Sequence, residues 1–125
     1  MEAREYQMRN RLFNCGNPYQ GDFKRVLCVC SAGLLRSPTA ALVLSQEPYN
    51  FNTRACGLDS YALIHIDEVL ITWADEIVCM SEEQENRLRE MVADKPITCL
   101  YIRDDFSYRD PELIQLIKEK YNATI

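Results

Sequence analysis

Four strand-length apolar runs, at 25–30, 51–56, 76–80 and 97–102, alternate with segments whose apolar residues recur at helical spacing. The first run, Arg25-Val26-Leu27-Cys28-Val29-Cys30, has no polar residue at alternate positions. Such a strand is buried on both faces, as in a parallel sheet. Ser37-Pro38 predicts a helix start, with Ser37 as N-cap and Pro38 at the first helical position. Ala40, Ala41, Val43 and Leu44 form its packing face, and Glu47-Pro48 ends it. Ile66, Val69, Leu70 and Trp73 mark a second helix, and Ser81-Glu82-Glu83-Gln84 is a capping box opening a third that buries Leu88, Met91 and Val92. Asp110-Pro111-Glu112 starts a last helix, with Leu113, Leu116, Ile117 and Tyr121 on one side. Strands that alternate with helices make βαβ units, so the expected fold class is α/β: a four-stranded parallel sheet with helices on both faces, in three layers.

The 125 residues suit one such domain, assigned to 23–125, with 1–22 as an N-terminal extension. That extension is polar, is punctuated by Gly16, Pro18 and Gly21, and is expected to carry a short helix at 2–11 and to serve packing. No apolar run approaches the ~20 residues of a membrane helix, and Glu2 and Glu5 with no apolar h-region argue against a leader. A cytoplasmic location is therefore expected. The six cysteines fall mostly in apolar runs, where reduced thiols pack as small hydrophobes, and Cys28 is expected in the core. One histidine cannot complete a Cys/His zinc set, so no metal is expected, and His65 reads as a surface residue. A net charge of −5 and a pI near 4.9 speak against nucleic acid or an anionic membrane as partner. Any anion site must be built locally, from backbone dipoles and a few arginines.

Ligands of parallel α/β sheets bind beyond the carboxyl ends of the strands. Cys30 lies at such an end, and the loop after it runs straight into a helix N-terminus. The backbone N–H groups of Ser31, Ala32, Gly33, Leu34, Leu35 and Arg36 are thereby expected to converge on one tetrahedral oxyanion. Gly33 supplies freedom for positive φ in that tight cradle, and Arg36 a planar fork for two phosphate oxygens. A thiol at a helix N-terminus near arginine ionises readily, which makes Cys30 the candidate nucleophile and Ser37 its hydrogen-bond donor. It would attack phosphorus to form a phosphocysteine. The leaving oxygen needs a proton. Asp104 or Asp105, after the fourth strand on the same sheet edge, is placed to give it, with Phe106 and Tyr108 as candidate pocket walls. Asp110 reads as a helix cap, and Arg54 and Arg103 as paired surface charges. Thiolate and arginine do what a metal would otherwise do, so no cofactor is expected.

Val29-Cys30, then five residues, then Arg36-Ser37-Pro38 resembles the low-molecular-weight protein tyrosine phosphatase family, in particular its short bacterial and phage branch. The resemblance extends over about 24–121 and includes Thr53-Arg54-Ala55-Cys56-Gly57, Trp73-Ala74-Asp75-Glu76-Ile77 and Asp110-Pro111-Glu112-Leu113. It implies Cys30 as nucleophile, Arg36 as phosphate-binding arginine, Ser37 as thiolate stabiliser, and a phosphorylated protein (phosphotyrosine) or a small phosphomonoester as substrate. The family's acid lies in an Asp-Pro-aromatic motif. Asp104 matches it, with Asp105 in the proline position and Asp105 itself as the alternative acid. This chain departs from the family with Ala32-Gly33 in place of Gly-Asn, and with Leu35 in place of a second loop cysteine. The region between the second and third strands is also short, so the walls that set substrate choice in longer members are expected to be reduced.

Two other functions fit parts of this pattern. Arsenate reduction uses a similar loop but needs two more spaced cysteines. Cys79 is near where the first would lie, and 80–98 contains no cysteine. A non-catalytic phosphate- or phosphoprotein-binding module would keep Arg36 and the loop, but has no use for Cys30, Ser37 and an acid together.

Overall fold

The computed structural model describes residues 23–31 and 36–125. The extension 1–22, with its expected helix, and Ala32, Gly33, Leu34 and Leu35 lie outside the described residues. The described elements run β1 (Arg25–Cys30), α1 (Arg36–Ser45), β2 (Asn52–Gly57), α2 (Glu68–Trp73), β3 (Glu76–Cys79), α3 (Glu82–Met91), β4 (Ile97–Cys99) and α4 (Pro111–Asn122). All strand pairs are parallel, in the order β2-β1-β3-β4. β1 is therefore central, and the chain leaves it first toward β2 and later crosses to β3. That reversal of strand order at the carboxyl end of β1 is where an open α/β sheet offers a crevice.

Two apolar layers enclose the sheet. On one face Val26, Cys28 and Val78 pack against Ala40, Ala41 and Leu44 of α1 and Leu113 and Ile117 of α4. On the other, Leu27, Val29, Cys56, Ile77 and Cys79 meet Leu70 of α2 and Leu88 of α3. Alternate β1 residues thus serve opposite layers, which is why that run has no polar position after Arg25. Each large apolar side chain so buried contributes about 1.5–3 kcal/mol.

Several local expectations need correction. The fourth strand was expected over 97–102 and pairs regularly only over Ile97–Cys99. Tyr101 turns the chain with φ 55°, although Leu100 and Ile102 still donate to Cys79 O and Met80 O. The second helix spans six residues, capped by Asp67, whose carboxylate accepts from Leu70 N at 2.9 Å, while Val69 faces solvent. Met91 is exposed, because α3 turns only Gln84 and Leu88 fully inward, with Val92 following at its C-cap. Asp110 caps α4 as expected, accepting from Glu112 N at 2.9 Å.

Candidate active site

Cys30 ends β1 and is 3% exposed. The β1–β2 pairing continues past it: Leu58 N donates to Cys30 O and Asp59 N to Ser31 O, both at 2.9 Å. These bonds hold the strand end rigid where it enters the loop.

Ser37 is not the N-cap of α1 but lies inside its first turn, fully buried. Its hydroxyl donates to Cys56 O at 3.1 Å and accepts from the Cys30 thiol, Sγ to Oγ 3.1 Å. A hydroxyl that would have satisfied the helix end instead ties α1 to β2 and to the cysteine.

Arg36 begins α1 and is nearly as buried. Its Nη1 donates to Ile102 O at 2.8 Å, and its Nε lies 3.3 Å from Asp104 Oδ1. A buried guanidinium is stable only when its charge is met, and here a carbonyl and a carboxylate from the segment after β4 meet it. The arginine therefore joins the cysteine loop to the acid loop.

The acid loop is fastened at both ends. Beyond the Arg36–Ile102 bond, Arg109 N donates to Thr39 Oγ1 of α1 at 3.0 Å. Tyr101 and Arg109 bracket the loop with φ of 55° and 58°, conformations that cost a non-glycine residue about 1 kcal/mol or more. Within it Asp104 is well exposed and turned to Arg36. Asp105 instead pairs with Arg103 Nε at 2.8 Å, and that hydrogen bond holds its carboxyl below the usual range. Phe106 is buried in the layer under α1, with the Arg103 guanidinium 5.1 Å from its ring centre. Tyr108 is half exposed beneath Arg109.

Other residues flagged in the sequence take different places. Arg54 is not a surface charge: it is buried, its guanidinium 4.0 Å from the centre of the Trp73 ring. Arg103 is the exposed paired charge expected. His65 is exposed and bridges to Gly57. Cys28 is in the core. Cys79 sits in the opposite layer in register with Cys99, and burial, with Cys99 adding to it, pushes its thiol well above the usual range. A buried, protonated thiol is a poor relay for disulfide exchange. Beside Ser31, Asp59 accepts from Tyr61 Oη at 2.8 Å and from Arg87 Nη1 at 3.1 Å, and these bonds, Tyr61's foremost, hold its carboxyl below the usual range.

Sequence reasoning did not find the carbonyl of Ile102, the Thr39–Arg109 tie or the role of Gln84. Gln84 is 2% exposed, accepts from Met80 N at 2.8 Å and donates through Nε2 to Ser31 Oγ at 3.1 Å. The capping box drew attention to this position for another reason. Only half of that box forms, Gln84 N donating to Ser81 Oγ at 3.3 Å, while the Gln84 side chain is spent elsewhere.

No family model and no curated protein matches the chain. Solved structures do. YfkJ from Bacillus subtilis superposes with a TM-score of 0.60 at 21% identity, covering 84% of this chain and 96% of that one. Wzb from Vibrio vulnificus, solved in complex with benzylphosphonate, superposes with a TM-score of 0.59 at 17% identity, covering 82% and 97%. At these identities the likeness is one of architecture: this chain has the three-layer, four-stranded parallel fold of the low-molecular-weight phosphatases.

Proposed function

We propose that the protein is a cysteine-dependent phosphomonoesterase whose substrate is phosphotyrosine on protein. The observation that carries this reading is the Cys30 sulfur 3.1 Å from buried Ser37 Oγ, with buried Arg36 reaching from the same helix turn to Asp104. A structural cysteine needs no hydroxyl, guanidinium and carboxyl gathered on one sheet edge. The benzylphosphonate on Wzb adds support, because a phosphonate on a benzyl group shares the chemistry of a phosphotyrosine side chain.

In this mechanism the Cys30 thiolate attacks phosphorus, forming the S–P bond as the bond from phosphorus to the leaving oxygen breaks. The Ser37 hydroxyl turns from Cys56 O to the sulfur, and Arg36 with the loop amides of 31–36 holds the oxyanion. The dianion takes Arg36 Nε from Asp104, which frees that carboxylic acid and its proton for the leaving oxygen. Asp104 gives that proton to the leaving phenolate. Water then attacks phosphorus, Asp104 takes its proton, the S–P bond breaks, and inorganic phosphate departs. Asp105, committed to Arg103, is the poorer donor.

The test is turnover of p-nitrophenyl phosphate by the reduced protein in EDTA. Cys30→Ser is expected to abolish turnover and keep phosphate binding, and Arg36→Ala to lose both. Turnover persisting in Cys30→Ser refutes the cysteine mechanism. Phosphate bound without turnover by the wild type favours the binding module. Phosphotyrosyl and phosphoseryl peptides compared at equal concentration test the substrate class.

A further inference from the structure

Gln84 presents chemistry that its position in a helix first turn does not require. Its amide can face only one way. Met80 N–H is a fixed donor 2.8 Å from the side chain, so the amide oxygen must meet it and the NH2 group must face Ser31. Ser31 Oγ, 3.1 Å away, is consequently the acceptor of that bond. A hydroxyl that accepts in one direction has its single proton to give in another. The backbone of Ser31 is held as well, since its carbonyl accepts from Asp59 N at 2.9 Å. Gln84 itself cannot drift: it is 2% exposed, and its own N–H is bound to Ser81 Oγ.

We propose that Gln84 is a positioning residue of the anion site, which holds Ser31 Oγ as an acceptor and so commits the Ser31 hydroxyl proton to the phosphate oxyanion bound at Cys30. The inference rests on the reading of Cys30 and Arg36 as a phosphate site. It adds a side-chain donor at the first position of the loop, supplied through α3 rather than α1. One hydrogen bond to a charged group corresponds to about ten- to a hundredfold in binding or rate.

The experiment compares Ser31→Ala, Gln84→Glu, Gln84→Met and the double variant Ser31→Ala/Gln84→Glu in the full chain. The readouts are the Kd for inorganic phosphate by calorimetry, kcat and KM on p-nitrophenyl phosphate, and the melting temperature. The introduced carboxylate still accepts from Met80 N–H but offers Ser31 a second acceptor, drawing its proton inward. Ser31→Ala and Gln84→Glu are each expected to weaken phosphate binding about tenfold or more, with the double variant no weaker than the worse single one. Gln84→Met, which removes both bonds but leaves Ser31 free to turn, is expected to lower the melting temperature yet cost less in Kd than Gln84→Glu.

A purely structural role predicts the reverse order for Met and Glu. Simple repulsion by the new charge predicts losses that add in the double variant. Either result overturns the proposal, as does an unchanged Kd in Ser31→Ala, which is decisive even if Gln84→Glu fails to fold. Wild type that binds phosphate without turnover sinks the phosphatase reading and leaves the Kd comparison to judge Gln84. Wild type that does not bind phosphate overturns both.

Discussion

Substituting Asp104 by Asn tests two claims at once, because the same carboxyl is assigned to Arg36 at rest and to the leaving group in turnover. The resting pair is a single contact of 3.3 Å between an arginine side chain 6% exposed and a carboxylate 69% exposed. With one partner largely in water the pair is screened, and a value of about 0.2–1 kcal/mol is appropriate. Phosphate that displaces Asp104 from Arg36 Nε must overcome that energy, so Asp104→Asn is expected to tighten phosphate binding about 1.4- to 5-fold. General acid catalysis contributes about 10²–10⁴-fold, and only where the leaving group needs the proton. The kcat for phenyl phosphate should therefore fall by about two orders of magnitude or more, and that for p-nitrophenyl phosphate far less. Calorimetry at low salt gives the first quantity, and steady-state kinetics on the two esters the second. Weaker or unchanged phosphate binding in Asp104→Asn would refute the competition at Arg36. Equal losses on the two esters would refute Asp104 as the acid, and the selective loss appearing in Asp105→Asn would move the assignment by one residue.

Two further outcomes follow from buried polar contacts. Ser37→Ala removes a hydroxyl 3.1 Å from Cys30 Sγ, and iodoacetate labelling of Cys30 at pH 7, read by mass spectrometry, should slow about tenfold or more, with kcat falling alongside. An unchanged labelling rate would remove Ser37 from the mechanism. At the opposite edge of the sheet, burial works to raise the Glu76 carboxyl, but hydrogen bonds from Lys24, Thr98 and Tyr121 outweigh it and hold the group below its ordinary value of 4.5. A folded-state value below the unfolded one stabilises the protein above the unfolded value, and that stabilisation is lost as pH falls through the folded one. Urea midpoints should accordingly stay level above about pH 5 and drop on acidification. Tyr121→Phe, which deletes a 2.8 Å bond to that carboxylate, should cost about 1.5–3 kcal/mol and flatten the acid limb. An acid limb of wild-type steepness in Tyr121→Phe would show that this bond does not hold Glu76 ionised.

What the sequence made legible was whatever rests on short-range pattern. β1 was read to the residue because a short uninterrupted apolar run among alternating helical segments fits a strand covered on both faces, and Asp110-Pro111 was read as a cap because both residues act within one turn. The gathering of Cys30, Arg36 and Ser37 was legible for a related reason, since a strand end and a helix start bring the three side chains together, although Ile102, Asp104 and Cys56 hold them there. The fourth strand was overread: its apolar residues continue to Ile102, and nothing local announces that Tyr101 adopts a left-handed conformation. Ser37 was misread as a cap because a serine before proline satisfies the local rule, whereas the tertiary structure offers its hydroxyl a carbonyl of β2 and a cysteine. Arg54 was misread as a surface charge because the Trp73 ring that covers it is nineteen residues away in sequence.

The contacts that escaped sequence reasoning have one cause in common: they join elements that the sheet order brings together. Arg36 meets Ile102 across 66 residues, Ser31 meets Gln84 across 53, and Thr39 meets Arg109 across 70. Each runs from the segment around Cys30 to the stretch of chain that follows β3 or β4. An acidic chain with a net charge of −5 cannot attract a dianion by its overall field. A dianion site of the kind proposed would need a few donors held at one point, with support from both neighbouring strands. On the β2 side that support is given by backbone bonds to Leu58 and Asp59. On the β3–β4 side, among the described residues, side chains reach across instead: Gln84 to Ser31, and Arg36 to Ile102 and Asp104. Gln84, which reads in the sequence only as part of a capping box, thus supports Ser31 from α3, while Arg36 ties the start of α1 to the segment after β4.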